Sequence, residues 1–242
     1  MIFYFHFLEK LNLYKVFTTQ NMDKEQDSKL IEIIRQDDLI KFKKYIIDQN
    51  SHEIAQLCEF YMEWFFAGKK EVFQCLEYLT NEESVSLGNI YDESEWNFLH
   101  HAICYGTLSG CFLLVEKCNF GIREINHRDC AGRTPLLLAL AEKNIHMKDI
   151  VEFLVHNGAD VTEINNSGEN VFHEFFSGWW WSDEYKDEYA SILKFLLKFG
   201  ADNTLKDKKG RSVMYCAIKK YKSKSRKTEL KEILDFLFYI FF

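Results

Sequence analysis

Apolar residues recur along most of the chain at the three- and four-residue spacing of helices that bury one face, and short polar breaks separate the runs. DSKLIEIIRQDD (27–38) predicts a first helix and turn, and LIKFKKYII (39–47) a second. HEIAQLCEFYMEWFFAGKKEVFQCLEYL (52–79) predicts another pair, hinged at Ala67-Gly68. Further on, DIVEFLVHNGAD (149–160) and SILKFLLKFGAD (191–202) each carry an apolar face and end in Gly-Ala-Asp. A glycine there suits the left-handed turn that stops a helix. After Ser182, a capping residue type, Tyr185, Tyr189, Ile192, Leu193, Leu196 and Leu197 share one face, which predicts an extended helix. KEILDFLFYIFF (231–242) reads as a last helix with no glycine turn. There, either Phe238, Tyr239, Phe241 and Phe242 pack against the last unit, 207–242, which they close, or the sequence is truncated.

The pattern repeats. DESEWNFLHHA (92–102), DCAGRTPLLLA (129–139), NNSGENVFHEF (165–175) and DKKGRSVMYCA (207–217) are variants of one phrase. In it Gly132, Gly168 and Gly210 permit a turn, the hydroxyl of Thr134 or Ser212 caps the next helix, and Pro135 fits the first helical turn, where no donor is missed. Leu136, Ala139 and Leu140 recur at helical spacing, the alanine small enough for close packing.

These phrases resemble the ankyrin signature D-x-x-G-x-T-P-L-H-x-A, and the Gly-Ala-Asp helices fill the matching second half of the repeat. The resemblance implies an all-α ankyrin-repeat solenoid of helix-turn-helix units with short β-hairpin fingers. Four repeats are expected at about 92–128, 129–164, 165–206 and 207–242, preceded by two degenerate helix pairs in 27–91 and an N-terminal extension over 1–26. The first repeat has Cys118 where the turn glycine is expected. The third and fourth carry insertions, SGWWWSDEYKDEY (177–189) and KKYKSKSRK (219–227), the latter expected as a loop between inner and outer helix.

Composition narrows the function classes. With 47% hydrophobic and 28% charged residues the chain is an ordered, soluble type, and one proline with eleven glycines argues against a turn-rich sandwich or barrel. A net charge of −7 gives no general attraction to polyanions, so a basic site has to be local. Seven cysteines without a C-x-x-C pair fit reduced core thiols in a cytoplasmic or nuclear protein, not a disulfide or zinc framework. The opening MIFYFHFLEKLNLYKVF carries Glu9, Lys10 and Lys15, lacks a small-residue cleavage site and is too short to span a bilayer.

No nucleotide, hydrolase or metalloprotease motif occurs. His100 and His173 fall at the signature histidine and are expected to make local structural hydrogen bonds; Cys111 and Cys118 are expected in the core. No catalytic residue, cofactor or metal is expected, and the chain is read as non-enzymatic and monomeric. By resemblance, partner-binding positions are Glu93, Ser94, Trp96, Cys104 and Tyr105 in the first repeat, then Cys130, Ala131 and Arg133 in the second. The third supplies Asn166, Ser167 and Glu169, and the fourth Lys208, Lys209 and Arg211. Trp179, Trp180 and Trp181 either cover lengthened helices or anchor a partner, tryptophan being enriched in binding hot spots. The expected partner of this scaffold is another protein; the alternative is nucleic acid or an anionic membrane surface bound through 219–227.

Overall fold

The computed structural model describes residues 24–47, 51–66, 73–81, 85–142, 144, 146–178, 185–222 and 227–241. Thirteen α-helices lie within them, joined by turns rather than strands. The first pair is α1 (Lys24–Gln36) and α2 (Leu39–Ile46); the second is α3 (Ser51–Tyr61), tightened into a 3-10 turn at Met62–Phe65, and α4 (Gln74–Asn81). Next come α5 (Phe98–Cys104) and α6 (Leu108–Glu116), with the short α7 (Ile122–Ile125) in the connection that follows. The last pairs are α8 (Pro135–Ala141) with α9 (Met147–His156), α10 (Val171–Gly178) with α11 (Lys186–Lys198), and α12 (Val213–Lys222) with α13 (Lys227–Phe241).

Two layers result. The inner helices α5, α8, α10 and α12 pack side by side, and the outer helices α6, α9, α11 and α13 form a second row against them. At the N-terminal end the Met62–Phe65 turn touches both α1 and α5, while α2 meets α4. One continuous apolar core threads the stack, from Leu30 and Ile34 through Leu136, Ile150, Phe172 and Leu196 to Leu237. Aromatic rings join the units: Phe65 packs on Phe42 and Phe98, and Phe66 on Phe73 and Phe98. Phe241 reaches back onto Phe172 and Phe176, whereas Phe238 and Tyr239 are exposed. Along the outer row Phe112 meets Phe153 at 4.3 Å between centroids, His156 meets Phe195 and Phe199, and the Lys194 ammonium lies 3.7 Å from the Tyr239 ring centroid.

Several expectations are corrected. Helix α1 begins at Lys24, inside the expected extension over 1–26. Lys219–Lys222, expected in a loop, continue α12, because lysine and tyrosine leave the helical backbone undisturbed. In the first repeat the left-handed turn falls not at Cys118, which is buried, but at Asn119, with φ +56°. Asparagine tolerates this conformation better than other side chains. The fingers form no named strands among the described residues; the one β-bridge there pairs Lys206 with Ser212. Ala67, Gly68, Ser182 and Trp179–Trp181 lie outside the described residues.

One long-range cap ties the first two pairs together. Asp37, at φ +53°, accepts the amides of Gln74 and Cys75 at 2.7 and 3.0 Å, closing the N-terminus of α4 from the turn after α1. Because each unit is held by its neighbours, a cavity in one interface weakens both sides. Leu136 is fully buried, and its replacement by Ala is expected to cost about 2–5 kcal/mol in urea unfolding. An unfolding curve for Leu136→Ala that overlays the parent would contradict this packing.

Candidate partner-binding surface

Four fingers precede the four inner helices, and one side chain organises each. The Oδ1 atoms of Asp92, Asp129, Asn165 and Asp207 each accept two backbone amides, two and four residues on. The backbone closes around the same residue: Asp129 N donates to Arg133 O at 2.9 Å, and Asp92, Asn165 and Asp207 do likewise to Trp96, Glu169 and Arg211. These are Asx-type turns, available to Asp and Asn because their short side chains reach the following amides.

The second atom of each head group is also used. Asp92 Oδ2 meets His101 Nε2 at 3.0 Å. Asp129 Oδ2 accepts from Arg133 Nε at 3.0 Å and from the indole N–H of Trp96 at 3.1 Å. Asp207 pairs with Arg211, whose Nη2 also reaches Glu169 Oε1 of the preceding finger at 3.0 Å. The third finger differs: Asn165 Nδ2 donates to Glu169 Oε2 at 2.9 Å and to Glu174 Oε1 at 2.8 Å. With two carboxylates nearby, a donor serves where an aspartate would add a third negative charge.

Fingers are then laced to one another through the backbone. Cys130 N donates to Ser94 O at 3.0 Å, Asn166 N to Ala131 O at 2.9 Å, and Lys208 N to Ser167 O at 2.9 Å. Below them, the Oδ1 atoms of Asn97 and Asn170 cap α5 and α10 through the amides of His100 and His173. Each histidine ring lies 2.7 Å from its own Asn, and its Nε2 contacts the carbonyl of Arg133 or Arg211 in the next finger. Thr134 Oγ1 and Ser212 Oγ receive the Leu137 and Tyr215 amides, as expected. Both histidines are therefore structural ties, as their position predicted.

Residues 64–165 match the family model described as ankyrin repeats, in three copies. This stretch is built of ankyrin repeats. No curated protein matches it. Ankyrin repeats generally mediate protein–protein interaction and are typically non-enzymatic.

Most of the expected contact residues lie either at the fingertips or at the finger bases. Glu93, Cys130, Ala131, Asn166, Ser167, Lys208 and Lys209 are exposed at the fingertips, with Ser94 half-buried among them. Arg133, Glu169 and Arg211 are half-buried at the finger bases, held by the pairs above. Trp96 is a correction: it is only 6% exposed, inside the first finger, its indole bonded to Asp129 and its ring against His100 and His101. Cys104 and Tyr105 are half-buried and pack on the core.

Other residues at this surface were not anticipated. Glu95 stands where the other fingers have glycine and takes the same left-handed backbone, φ +59°, against +76°, +75° and +73° at Gly132, Gly168 and Gly210. Four positions beyond each cap the inner helices place His101, Leu138 and Glu174, all buried, and the half-buried Cys216, a spacing that was readable from the repeats. Burial raises the carboxyl pKa of Glu174, opposed by the Asn165 hydrogen bond, and burial likewise raises that of Glu142, opposed by Arg133. All seven cysteines are free, and burial pushes the Cys58 and Cys111 thiols up to about 12, leaving them unreactive at neutral pH.

Burial drives the His100 pKa down to about 3, partly opposed by the bond to the Arg133 carbonyl. Its folded value lies below the unfolded 6.5, so the stability of the neutral ring is complete above pH 6.5 and falls as pH drops from there towards 3. By pH 5 the loss reaches about 2 kcal/mol. His100→Leu, the residue type of Leu137 in the next repeat, removes that term. The parent is expected to lose about 2 kcal/mol more than the variant between pH 7 and 5 in urea titrations; parallel losses would contradict a neutral buried ring.

The finger lacing separates two glycines that share a conformation. A methyl group on Gly132 would lie 2.4 Å from Asn166 Oδ1 and 2.7 Å from its backbone nitrogen, whereas one on Gly210 would meet nothing within 4 Å. Gly210→Ala is expected to cost about 1–2 kcal/mol from backbone strain alone. Gly132→Ala should cost clearly more by thermal unfolding, because the third finger has to retreat. Equal costs would show that the two fingers are not in contact.

Proposed function

We propose that the protein is a non-enzymatic scaffold or adaptor that binds another protein through its finger and inner-helix surface, the concave face by resemblance to the family. The observation that carries this reading is the division of labour in the fingers. Their head groups and amides are satisfied internally, while the tip side chains Glu93, Cys130, Ala131, Asn166, Ser167, Lys208 and Lys209 stand in solvent on a laced backbone. A pre-organised row of exposed side chains loses little conformational entropy on binding, the condition for useful affinity from modest area. Array boundaries of 92–128, 129–164, 165–206 and 207–242 belong to the same proposal, supported by the finger geometry at Asp92, Asp129, Asn165 and Asp207. Free cysteines throughout support an intracellular setting, cytoplasmic or nuclear.

A second reading, binding of nucleic acid or an anionic membrane surface, draws support from four exposed lysines, Lys206 at the end of the third repeat and Lys208, Lys209 and Lys219 in the fourth. Trp179, Trp180 and Trp181 remain candidates for a partner anchor.

A photo-crosslinking side chain placed at Asn166 is expected to trap a specific protein in the native cell. One placed at Lys117, exposed after outer helix α6, should not. Trapping from Lys117 alone, or an RNA adduct from Asn166, would overturn the reading.

A further inference from the structure

The fingertips form a charge gradient. From the first finger to the fourth, the exposed residues are Glu93 and Glu95, then Cys130 and Ala131, then Asn166 and Ser167, then Lys208 and Lys209. The row runs from acidic, through small and uncharged, to basic.

These tip charges differ in kind from those beneath them. Arg133 is neutralised by Asp129 at 2.9 Å, and Arg211 by Asp207 and Glu169. Glu93, Glu95, Lys208 and Lys209 take part in no ion pair among the described residues. The base charges are spent on the fold, and the tip charges are what an approaching molecule meets.

The two ends act separately. Packed helices stand about 8–10 Å apart, so three steps along the row cover about 24–30 Å. Salt screens charges beyond about 8 Å under physiological conditions, so the acidic and basic ends do not cancel. Between them, Asn166 Nδ2 is engaged with Cys130 O at 3.0 Å, and no charged side chain occupies the tips of the second and third fingers. A charge brought there would lose hydration without gaining a counter-charge.

We propose, building on the reading of the fingers as the binding face, that the partner presents an extended protein segment of polarised charge. Its basic end lies over Glu93 and Glu95, its acidic end over Lys208 and Lys209, and about eight small or uncharged residues join them, at about 3.3 Å each. A polyanion fits poorly, because one that lies along the whole row meets two carboxylates at the first finger.

The probes are two labelled peptides of equal length and composition, followed by fluorescence anisotropy. One has a lysine block, a Gly/Ser/Ala middle and a glutamate block; the other has the same lysines and glutamates interspersed. At low salt the blocked peptide is expected to bind about tenfold tighter or better, with the advantage shrinking as salt rises. Paired reversals Glu93→Lys/Glu95→Lys and Lys208→Glu/Lys209→Glu should each weaken it, with unchanged melting as the control for folding. All four together should restore binding, because the peptide can turn end for end on an inverted row. Equal affinity for both peptides, no measurable binding of the blocked one at low salt, or no restoration in the fourfold variant overturns the proposal. So does single-stranded RNA that binds through Lys208 and Lys209 and is indifferent to the reversal at Glu93 and Glu95. If Asn166 still crosslinks a native protein while the peptides are not distinguished, only the polarity is wrong; if crosslinking also fails, the binding-face reading falls with it.

Discussion

A turn that projects from a helical stack has to find acceptors for amides that no helix or sheet will satisfy. In this protein a single side-chain oxygen per finger supplies them, on Asp92, Asp129, Asn165 and Asp207. Everything at the finger face follows from that contact. With the interior amides satisfied, the amide of the next residue is free to bond the preceding finger, and the units are drawn into register. The head groups sit deep in the fingers, and Asp129 is only 3% exposed. A buried carboxylate without donors would be costly, so Arg133 and the Trp96 indole are held beside it.

This reframes the variable positions. In a repeat array the residues that differ between copies are natural candidates for recognition, yet two of those here adjust the fold to its own irregularities. Trp96 replaces arginine where the donor is needed one finger further along. Asn165 replaces aspartate where Glu169 and Glu174 already crowd the site. Difference between repeats is therefore not by itself a mark of contact with a partner.

Much of the architecture was legible because it rests on periodicity. Buried faces on α8, α9 and α11 repeat at helical spacing, and a local pattern of that kind survives in the sequence whatever the neighbours are. The caps at Thr134 and Ser212 and the ties made by His100 and His173 were legible for a similar reason, since cap and capped amide lie within one turn. What escaped depends on residues distant in sequence. Nothing near Asp37 announces that it closes α4, because its partners lie 37 and 38 residues on. Nothing in DESEWN shows Trp96 turned inward, because Asp129 belongs to another repeat. Glu95 was hidden by its type: a glutamate in the left-handed region carries no signal of the kind glycine gives.

The two edges of the stack are built from different materials. On the finger side the spacing between units is set by backbone hydrogen bonds of 2.9–3.0 Å, which tolerate little change in length. On the outer side it is set by side chains in loose mutual contact, Phe112 on Phe153, His156 on Phe195 and Phe199, and Lys194 over Tyr239. A stack with one inextensible edge and one adjustable edge bends only by altering the adjustable one. The spacing of units along the back is thus set by the size of these rings, and a smaller residue at Phe153 would change that spacing without removing a fingertip hydrogen bond.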